Sequence, residues 1–314
     1  MEMRELGRSG IRVPGLCFGG NIFGWTVDEG RSFELLDALV GSGFNFIDTA
    51  DVYSKWVPGH VGGESETIIG KWMKARGNRG KIVLATKCGM ELSPEKKGLS
   101  KKYILQAIDS SLSRLQTDYV DLYQAHKDDP GVPLEETMDA FTQVVKAGKA
   151  KAIGASNYSG SRLAEALRLS ERHGLVRFEC LQPHYNLYER TEYERELEPV
   201  CVENGLGVIP YFALAAGFLT GKYRSEADLG KSARGGGMRK YLNPRGMAIL
   251  AALDEVAGAH KVTPAQVAIA WLMAKPSITA PIASATSLEQ LRDLVAATRV
   301  KLTAEELGRL EAAG

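Results

Sequence analysis

The alternation of short apolar runs with helically spaced segments constrains this chain more than any other feature. Candidate strands are Leu16–Phe18, Phe44–Asp48, Ile82–Lys87, Val120–His126, Ala150–Ser156, Glu179–His184, Gly207–Tyr211 and Ile278–Ile282. Between them lie stretches with i, i+3, i+4 apolar spacing, such as Phe33, Leu36, Leu39 and Val40, or Ile104, Ile108, Leu112 and Leu115. Parallel strands need a crossover, usually a helix, so the pattern predicts βαβ units and a parallel sheet. Eight strands with about eight helices match one (β/α)8 TIM barrel, an architecture of roughly 250 residues. The 314 residues then read as a single α/β domain, 1–314. Residues up to about Val13 read as an added hairpin turning at Gly7–Gly10. After the seventh strand, Leu214–Asn243 is rich in glycine and charge and lacks helical periodicity. It reads as a long loop without regular structure, and such loops are commonly functional. Helix signals resume at Pro244 and at Thr263-Pro264, which fit an N-cap and first helical position.

A Rossmann domain is the main rival for such a chain. No GxGxxG is present, and Gly41-Ser42-Gly43 precedes a strand where the fingerprint must follow one. Gly217–Lys222 is one residue short of a P-loop. Thirty-nine Lys and Arg balance thirty-eight Asp and Glu, a net charge of +1, so no basic excess asks for nucleic acid. The longest apolar stretch, Ile209–Leu219, is broken by Pro210 and too short to cross a bilayer. The opening MEMRELGRSG lacks the apolar core of a signal peptide. Cys17, Cys88, Cys180 and Cys201 lie far apart, without zinc-site spacing. The expectation is a cytoplasmic protein with no metal, no nucleic-acid partner and no membrane span. The sequence sets no oligomeric state.

In a parallel barrel, catalytic groups stand at the C-terminal ends of strands and on the loops that follow. Those positions carry Asp48, Lys87, Gln124 and His126, Ser156 and Asn157, Gln182 and His184, and Tyr211, with Tyr53 just past the second strand. Any one of them could be an incidental polar cap. Asp48, Tyr53, Lys87 and His126 converging on one mouth are harder to assign to chance. A tyrosine, with a pKa of about 10, becomes a better acid beside a cation, which favours the phenolate. Lys87 would supply that cation, Asp48 would keep the lysine charged, and His126 would orient a carbonyl oxygen. A phenol protonating a carbonyl calls for a hydride donor, and no side chain donates hydride, so a nicotinamide or flavin is implied.

At these residues the chain resembles the aldo-keto reductase superfamily, in its long-loop bacterial branch related to potassium-channel beta subunits. The matching motifs are Gly43-Phe-Asn-Phe-Ile-Asp48-Thr-Ala-Asp-Val-Tyr53, Ala85-Thr-Lys87-Cys, Asp121-Leu-Tyr-Gln-Ala-His126, Gly148 through Ser156-Asn157, and Leu181-Gln182-Pro-His-Tyr-Asn, in family order. The resemblance implies a barrel that uses NADP(H), with NAD(H) possible. The implied reaction reduces aldehydes or ketones, or runs in reverse on a sugar or alcohol. Tyr53 would be the general acid, Asp48 and Lys87 its supporting pair, and His126 the substrate-orienting histidine. It also implies that Ser156, Asn157 and Gln182 hold the nicotinamide carboxamide, that Tyr211 stacks on the ring, and that Gly20 and Asn21 lie near its ribose. The backbone of Phe212–Leu219, including Phe212, Leu214, Gly217 and Leu219, would meet the pyrophosphate, clamped by Lys222 and Arg234. Ser284, Thr286, Gln290 and Asp293 would meet the 2′-phosphate and adenine. Phe212-Ala213 and Ser284-Ala285-Thr286 depart from the common Ser-Pro and Gly-Ala-Arg of relatives, and Lys55–Gly62 is an insert. A nicotinamide-sensing accessory subunit with little turnover is the alternative reading.

Trp25 and Trp56 fall on loops at the expected mouth and are candidate walls of a substrate pocket. Trp72 and Trp271 lie on helical patterns and read as core, as does Cys88. His60, His173 and His260 read as surface or loop residues. The charge run Glu189–Glu198 reads as a solvated helix face, and His184 as a weaker contact than Gln182.

Overall fold

The computed structural model describes residues 2–314. An antiparallel hairpin, β1 (Met3–Glu5) and β2 (Arg12–Pro14), precedes an eight-stranded sheet. Its strands are β3 (Cys17–Gly19), β4 (Phe46–Asp48), β5 (Val83–Cys88), β6 (Val120–Ala125), β7 (Ala150–Ser156), β8 (Phe178–Gln182), β9 (Gly207–Val208) and β10 (Ile282–Ala283), in the order β10-β3-β4-β5-β6-β7-β8-β9 with every pair parallel. The ring closes through hydrogen bonds outside the regular ladder: Thr279 N (2.8 Å) and Ala280 N (3.3 Å) donate to Val208 O, and Ile282 N donates to Pro210 O (2.9 Å). The helices α1 (Glu29–Gly41), α2 (Glu64–Arg76), α3 (Lys101–Leu115), α4 (Leu134–Lys146), α5 (Gly160–His173), α6 (Glu198–Asn204), α7 (Pro244–His260), α8 (Pro264–Ala274), α9 (Leu288–Ala297) and α10 (Ala304–Ala313) follow the strands. The architecture is the (β/α)8 TIM-type barrel with an N-terminal hairpin that the alternation predicts.

Two expectations need correction. The last strand does not begin at Ile278. Thr279 and Ala280 both donate to Val208 O, and Pro281 has no N–H for the ladder, so regular pairing starts only at Ile282. Nor is 214–243 devoid of structure. It contains 3₁₀ helices at Ala215–Thr220, Glu226–Lys231 and Gly235–Tyr241, with Phe218, Leu219, Tyr223, Met238 and Tyr241 buried. Its apolar residues recur at a spacing of three, as in Gly235, Met238 and Tyr241, which suits a 3₁₀ turn and is invisible to a search at 3.6.

The hairpin stoppers the barrel's N-terminal end. Leu6 and Val13 join the cluster formed by the inward side chains Cys17, Phe46, Ala85, Leu122, Ala152, Cys180, Ile209 and Ile282. A larger shell between sheet and helices contains Trp72, Trp271, Phe141 and most other buried apolar residues. All four cysteines are free and buried. Among the described residues no helix is long and apolar enough to cross a membrane.

Candidate active site

Strand periodicity builds the site. Side chains two residues apart share a face of a strand. Moving two residues toward the C-terminal end from the apolar plug, Phe46 gives way to Asp48, Ala85 to Lys87, Leu122 to Gln124, Cys180 to Gln182, Ile209 to Tyr211 and Ile282 to Ser284. One further step on the β6 line brings His126, and on the β8 line His184. A ring of polar groups therefore sits directly on a dry apolar floor.

Lys87 is its centre. The fully buried ammonium donates to Asp48 Oδ2 (2.6 Å), Thr49 O (2.8 Å) and Tyr53 Oη (2.9 Å). Asp48 is also buried; its Oδ2 lies 3.4 Å from the Tyr53 hydroxyl, and its Oδ1 accepts from Gln182 (2.9 Å) and Gln124 (3.3 Å). His126 meets the Tyr53 ring edge-on at 5.9 Å, and its Nδ1 is buried without a partner. The structure thus brings the four expected catalytic residues together. Gln124 and Thr49 complete the set. Gln124 was legible as a polar strand-end residue, but nothing in the sequence marks a backbone carbonyl such as that of Thr49.

Burial is the largest influence on Lys87 and opposes its charge, but Asp48 and Tyr53 outweigh it and raise its pKa. Burial pushes Tyr53 up to about 12; Lys87 pulls it down and Asp48 pushes it up. The cation acts in the expected direction, yet burial wins, so the phenol stays protonated at neutral pH. Burial, assisted by Lys87, holds His126 well below its ordinary range and therefore neutral. A buried ion pair is a poor device for stability alone, because desolvation consumes the Coulombic gain. The arrangement can hold a proton on Tyr53 and stabilise the phenolate left when that proton departs.

At the mouth, Trp25 and Trp56 meet edge-to-face at 5.5 Å, and Trp56 lies 6.2 Å from the Tyr53 ring. Trp56 is 48 % exposed, so a large aromatic face remains open beside the Tyr53 ring, and Phe212, 42 % exposed, lies against His184 and Tyr211. The remaining expected cofactor contacts fall into groups. Ser156 Oγ donates to Gln182 O (2.9 Å), while Asn157 donates to His126 O (2.8 Å) and Ser156 Oγ (3.1 Å) and accepts from the Tyr211 hydroxyl (2.8 Å). Ser284 Oγ lies 2.7 Å from Gly19 O and 2.8 Å from Asn21 Oδ1, which joins it to the Gly20–Asn21 turn. Thr286 pairs with Gln290 through its amide (2.9 Å) and hydroxyl (3.1 Å), both residues exposed. Asp293 accepts from Gln266 at 3.4 Å.

The turn after Tyr211 holds left-handed backbone at Phe212 (φ 54°), Ala215 (φ 47°), Ala216 (φ 55°) and Gly217 (φ 108°). The amides of Gly217 and Leu219 donate to Leu214 O (2.8 and 3.2 Å) and are spent within the turn, whereas Phe212 and Leu214 enter it through their carbonyls. Lys222 lies against this turn: a Cβ on Gly217 would be 3.6 Å from Lys222 Nζ. Arg234, expected as its companion cation, packs over the Trp25 ring at 5.1 Å and leaves Nη2 buried without a partner.

Comparison with known proteins agrees with this geometry. Residues 15–314 match the model of the Aldo/keto reductase family. The chain is 37 % identical to the Uncharacterized oxidoreductase YrpG of Bacillus subtilis, over 99 % of this chain and 95 % of that protein. It is 33 % identical to the versiconal hemiacetal acetate reductase of Aspergillus parasiticus, over 99 % and 96 % of the respective chains. It is also 34 % identical to a probable voltage-gated potassium channel subunit beta of Oryza sativa, over 99 % and 96 %. With the family model covering nearly every residue and relatives aligned end to end, the chain belongs to the aldo/keto reductase family.

Proposed function

We propose that this oxidoreductase reduces aldehyde or ketone carbonyls, or oxidises the corresponding alcohol or sugar, with NADP(H), and with NAD(H) as a second choice. The observation that carries the reading is the buried Lys87 ammonium bonded at once to Asp48 Oδ2 and Tyr53 Oη. The site's donor set fits a nicotinamide dinucleotide: Arg234 Nη2 is buried without a partner, the 212–217 backbone forms a left-handed cradle, and Tyr211 presents an aromatic ring. In this reading Gln182, whose Nε2 is committed to Asp48, offers Oε1 to the carboxamide beside Ser156 and Asn157. Tyr211 stacks on the ring, and Gly20 and Asn21 lie along the ribose. Lys222, Arg234 and the amides of the 212–219 backbone that are not spent within the turn meet the pyrophosphate, and Ser284, Thr286, Gln290 and Asp293 meet the adenosine end.

The bound nicotinamide supplies the hydride, which no side chain can. Tyr53, protonated at neutral pH, donates to the carbonyl oxygen, and Lys87 holds the resulting phenolate 2.9 Å away. Neutral His126 can direct a ring N–H at the same oxygen, and Trp25 and Trp56 form an aromatic wall on the open side of the site. Thr286, whose hydroxyl already donates to Gln290 Oε1, offers the 2′-phosphate at most one neutral group where an arginine would give charge-assisted bonds, a difference of about tenfold in preference for NADPH over NADH.

The test follows cofactor oxidation with an aldehyde panel in wild type and Tyr53→Phe. The variant is expected to lose about 10²–10⁴-fold in rate while cofactor affinity stays within a few fold. Wild-type-like turnover by the variant would remove Tyr53 from its role. A single turnover per site in wild type, with no steady rate, would instead favour the accessory-subunit reading, which the similarity to the Oryza sativa protein supports.

A further inference from the structure

The parallel ladder of β8 and β9 continues past its regular end as an isolated bridge between His184 and Tyr211, with Tyr211 N donating to Pro183 O at 2.9 Å. In-register neighbours on adjacent parallel strands point the same way, so the bridge forces the two rings face to face. They stack at a centroid distance of 5.2 Å and an interplanar angle of 12°. Phe212 closes against both, at 5.5 Å from His184 and 5.2 Å from Tyr211.

Asn186 fixes this assembly. Its Oδ1 accepts from the amides of Tyr188 and Glu189, both at 2.9 Å, which assigns the other side-chain atom as nitrogen. That Nδ2 donates to Phe212 O (3.0 Å) and points at His184 Nε2 (3.5 Å). An amide nitrogen can only donate, so this contact suits an imidazole whose Nε2 accepts, and burial lowers the His184 pKa in the same direction, toward the neutral ring. The Tyr211 hydroxyl is tied from the other end to Asn157. Tyr211 is thus backed on one face by His184, and the stacking that the proposed function assigns to Tyr211 falls to its other face.

We propose that His184 is a positioning residue for the nicotinamide ring, acting through Tyr211, and that the neutral ring in this second layer is what lets the cationic oxidised nicotinamide bind as well as the uncharged reduced one. The proposal rests on the reading that Tyr211 stacks on the cofactor. The physical argument is charge. The oxidised ring carries a positive charge and the reduced ring does not, while their phosphates are identical. A cation two ring layers away, at the effective dielectric of a partly buried site, is expected to weaken the oxidised form about tenfold and barely touch the reduced form. A residue that only packed against Tyr211 would affect both forms alike.

The experiment is calorimetric titration of the intact protein with NADP⁺ and NADPH separately, for wild type, His184→Gln and His184→Arg, with His184→Lys as a second cationic variant should the arginine fail to fold. The expected result is an oxidised-to-reduced affinity ratio near that of wild type for His184→Gln. The ratio should fall about tenfold for the cationic variant, with NADPH affinity within about twofold of wild type. Equal losses for both forms, or an unchanged ratio in the cationic variant, would overturn the proposal. Saturable binding by wild type keeps that failure separate from failure of the cofactor reading, which would show as no binding of either form.

Discussion

Lys87 keeps its charge with no exposed surface because three oxygens replace its water: Asp48 Oδ2, Thr49 O and Tyr53 Oη. Its folded-state pKa is raised above the ordinary 10.5. The stabilisation it contributes is therefore complete below that value and lost as pH climbs through the folded one. Lys87→Met strands the Asp48 carboxylate in the barrel and is expected to cost about 3–5 kcal/mol at neutral pH. The double variant with Asp48→Asn should recover part of that loss. Urea denaturation checks both; a single variant as stable as wild type would contradict the argument. Asp51 presents the opposite case. It is buried, neither carboxylate oxygen has a side-chain partner, and burial followed by Glu66 raises its pKa well above 3.8. A raised carboxyl costs stability above its ordinary pKa, so the cost is present at pH 7 and absent in strong acid. Asp51→Asn is expected to raise Tm by about 2–4 °C at pH 7, the shift given by roughly 1 kcal/mol in a large domain. The gain should shrink as pH falls toward 4, and a pH-independent gain would point to packing instead.

At the scale of elements, the 214–243 segment is held by short-range 3₁₀ packing and by long-range contacts, among them Phe218 and Tyr241 on the Tyr188 ring, Asn243 on the Tyr188 hydroxyl, and Arg224 with Asp254. Gly235 is buried so tightly that a Cβ there would lie 1.8 Å from Leu229 O, while Gly236 and Gly237 are exposed. Arg234, next in chain, reaches across to the Trp25 ring. The segment therefore spans the mouth as a strap whose far anchor is a cation on an aromatic face, a contact of about 0.5–2 kcal/mol. Limited proteolysis is expected to cut at Gly236–Gly237, severalfold faster in Trp25→Ala and severalfold slower with saturating NADPH. Equal cutting with and without cofactor would show that the strap takes no part in holding it.

The whole molecule separates its apolar seal from its polar groups by end. The N-terminal mouth is sealed by Leu6 and Val13, and the C-terminal mouth carries the polar ring, the usual division in such barrels. Gly7 marks the seal: its φ is +62°, and a Cβ would fall 2.1 Å from Glu179 O. Gly7→Ala combines backbone strain with overpacking and is expected to destabilise by about 1–3 kcal/mol. The kcat/KM of the folded fraction should stay at wild type, because the mutation lies at the opposite end of the strands from Tyr53. Urea denaturation with parallel kinetics tests this, and a fall in kcat/KM without loss of stability would show that the two ends are coupled.

How far the primary structure reached is visible in particular residues. Short apolar runs between helically spaced segments placed Asp48, Lys87, Gln124, Gln182 and Tyr211 at strand ends, because such runs are read from local sequence without any partner strand. Helix starts at Pro244 and Pro264 were equally local, since caps and prolines act within one turn. The 3₁₀ turns of 214–243 escaped because their spacing of three falls between the helix and strand periods. The start of β10 escaped because Pro281 matters only once Val208 is its neighbour. Tertiary structure alone decided that burial outweighs Lys87 in setting the Tyr53 pKa, that Arg234 rests on Trp25, and that His184 stacks behind Tyr211. Those outcomes depend on distances between residues far apart in the chain, and on how much water the fold removes around each charge.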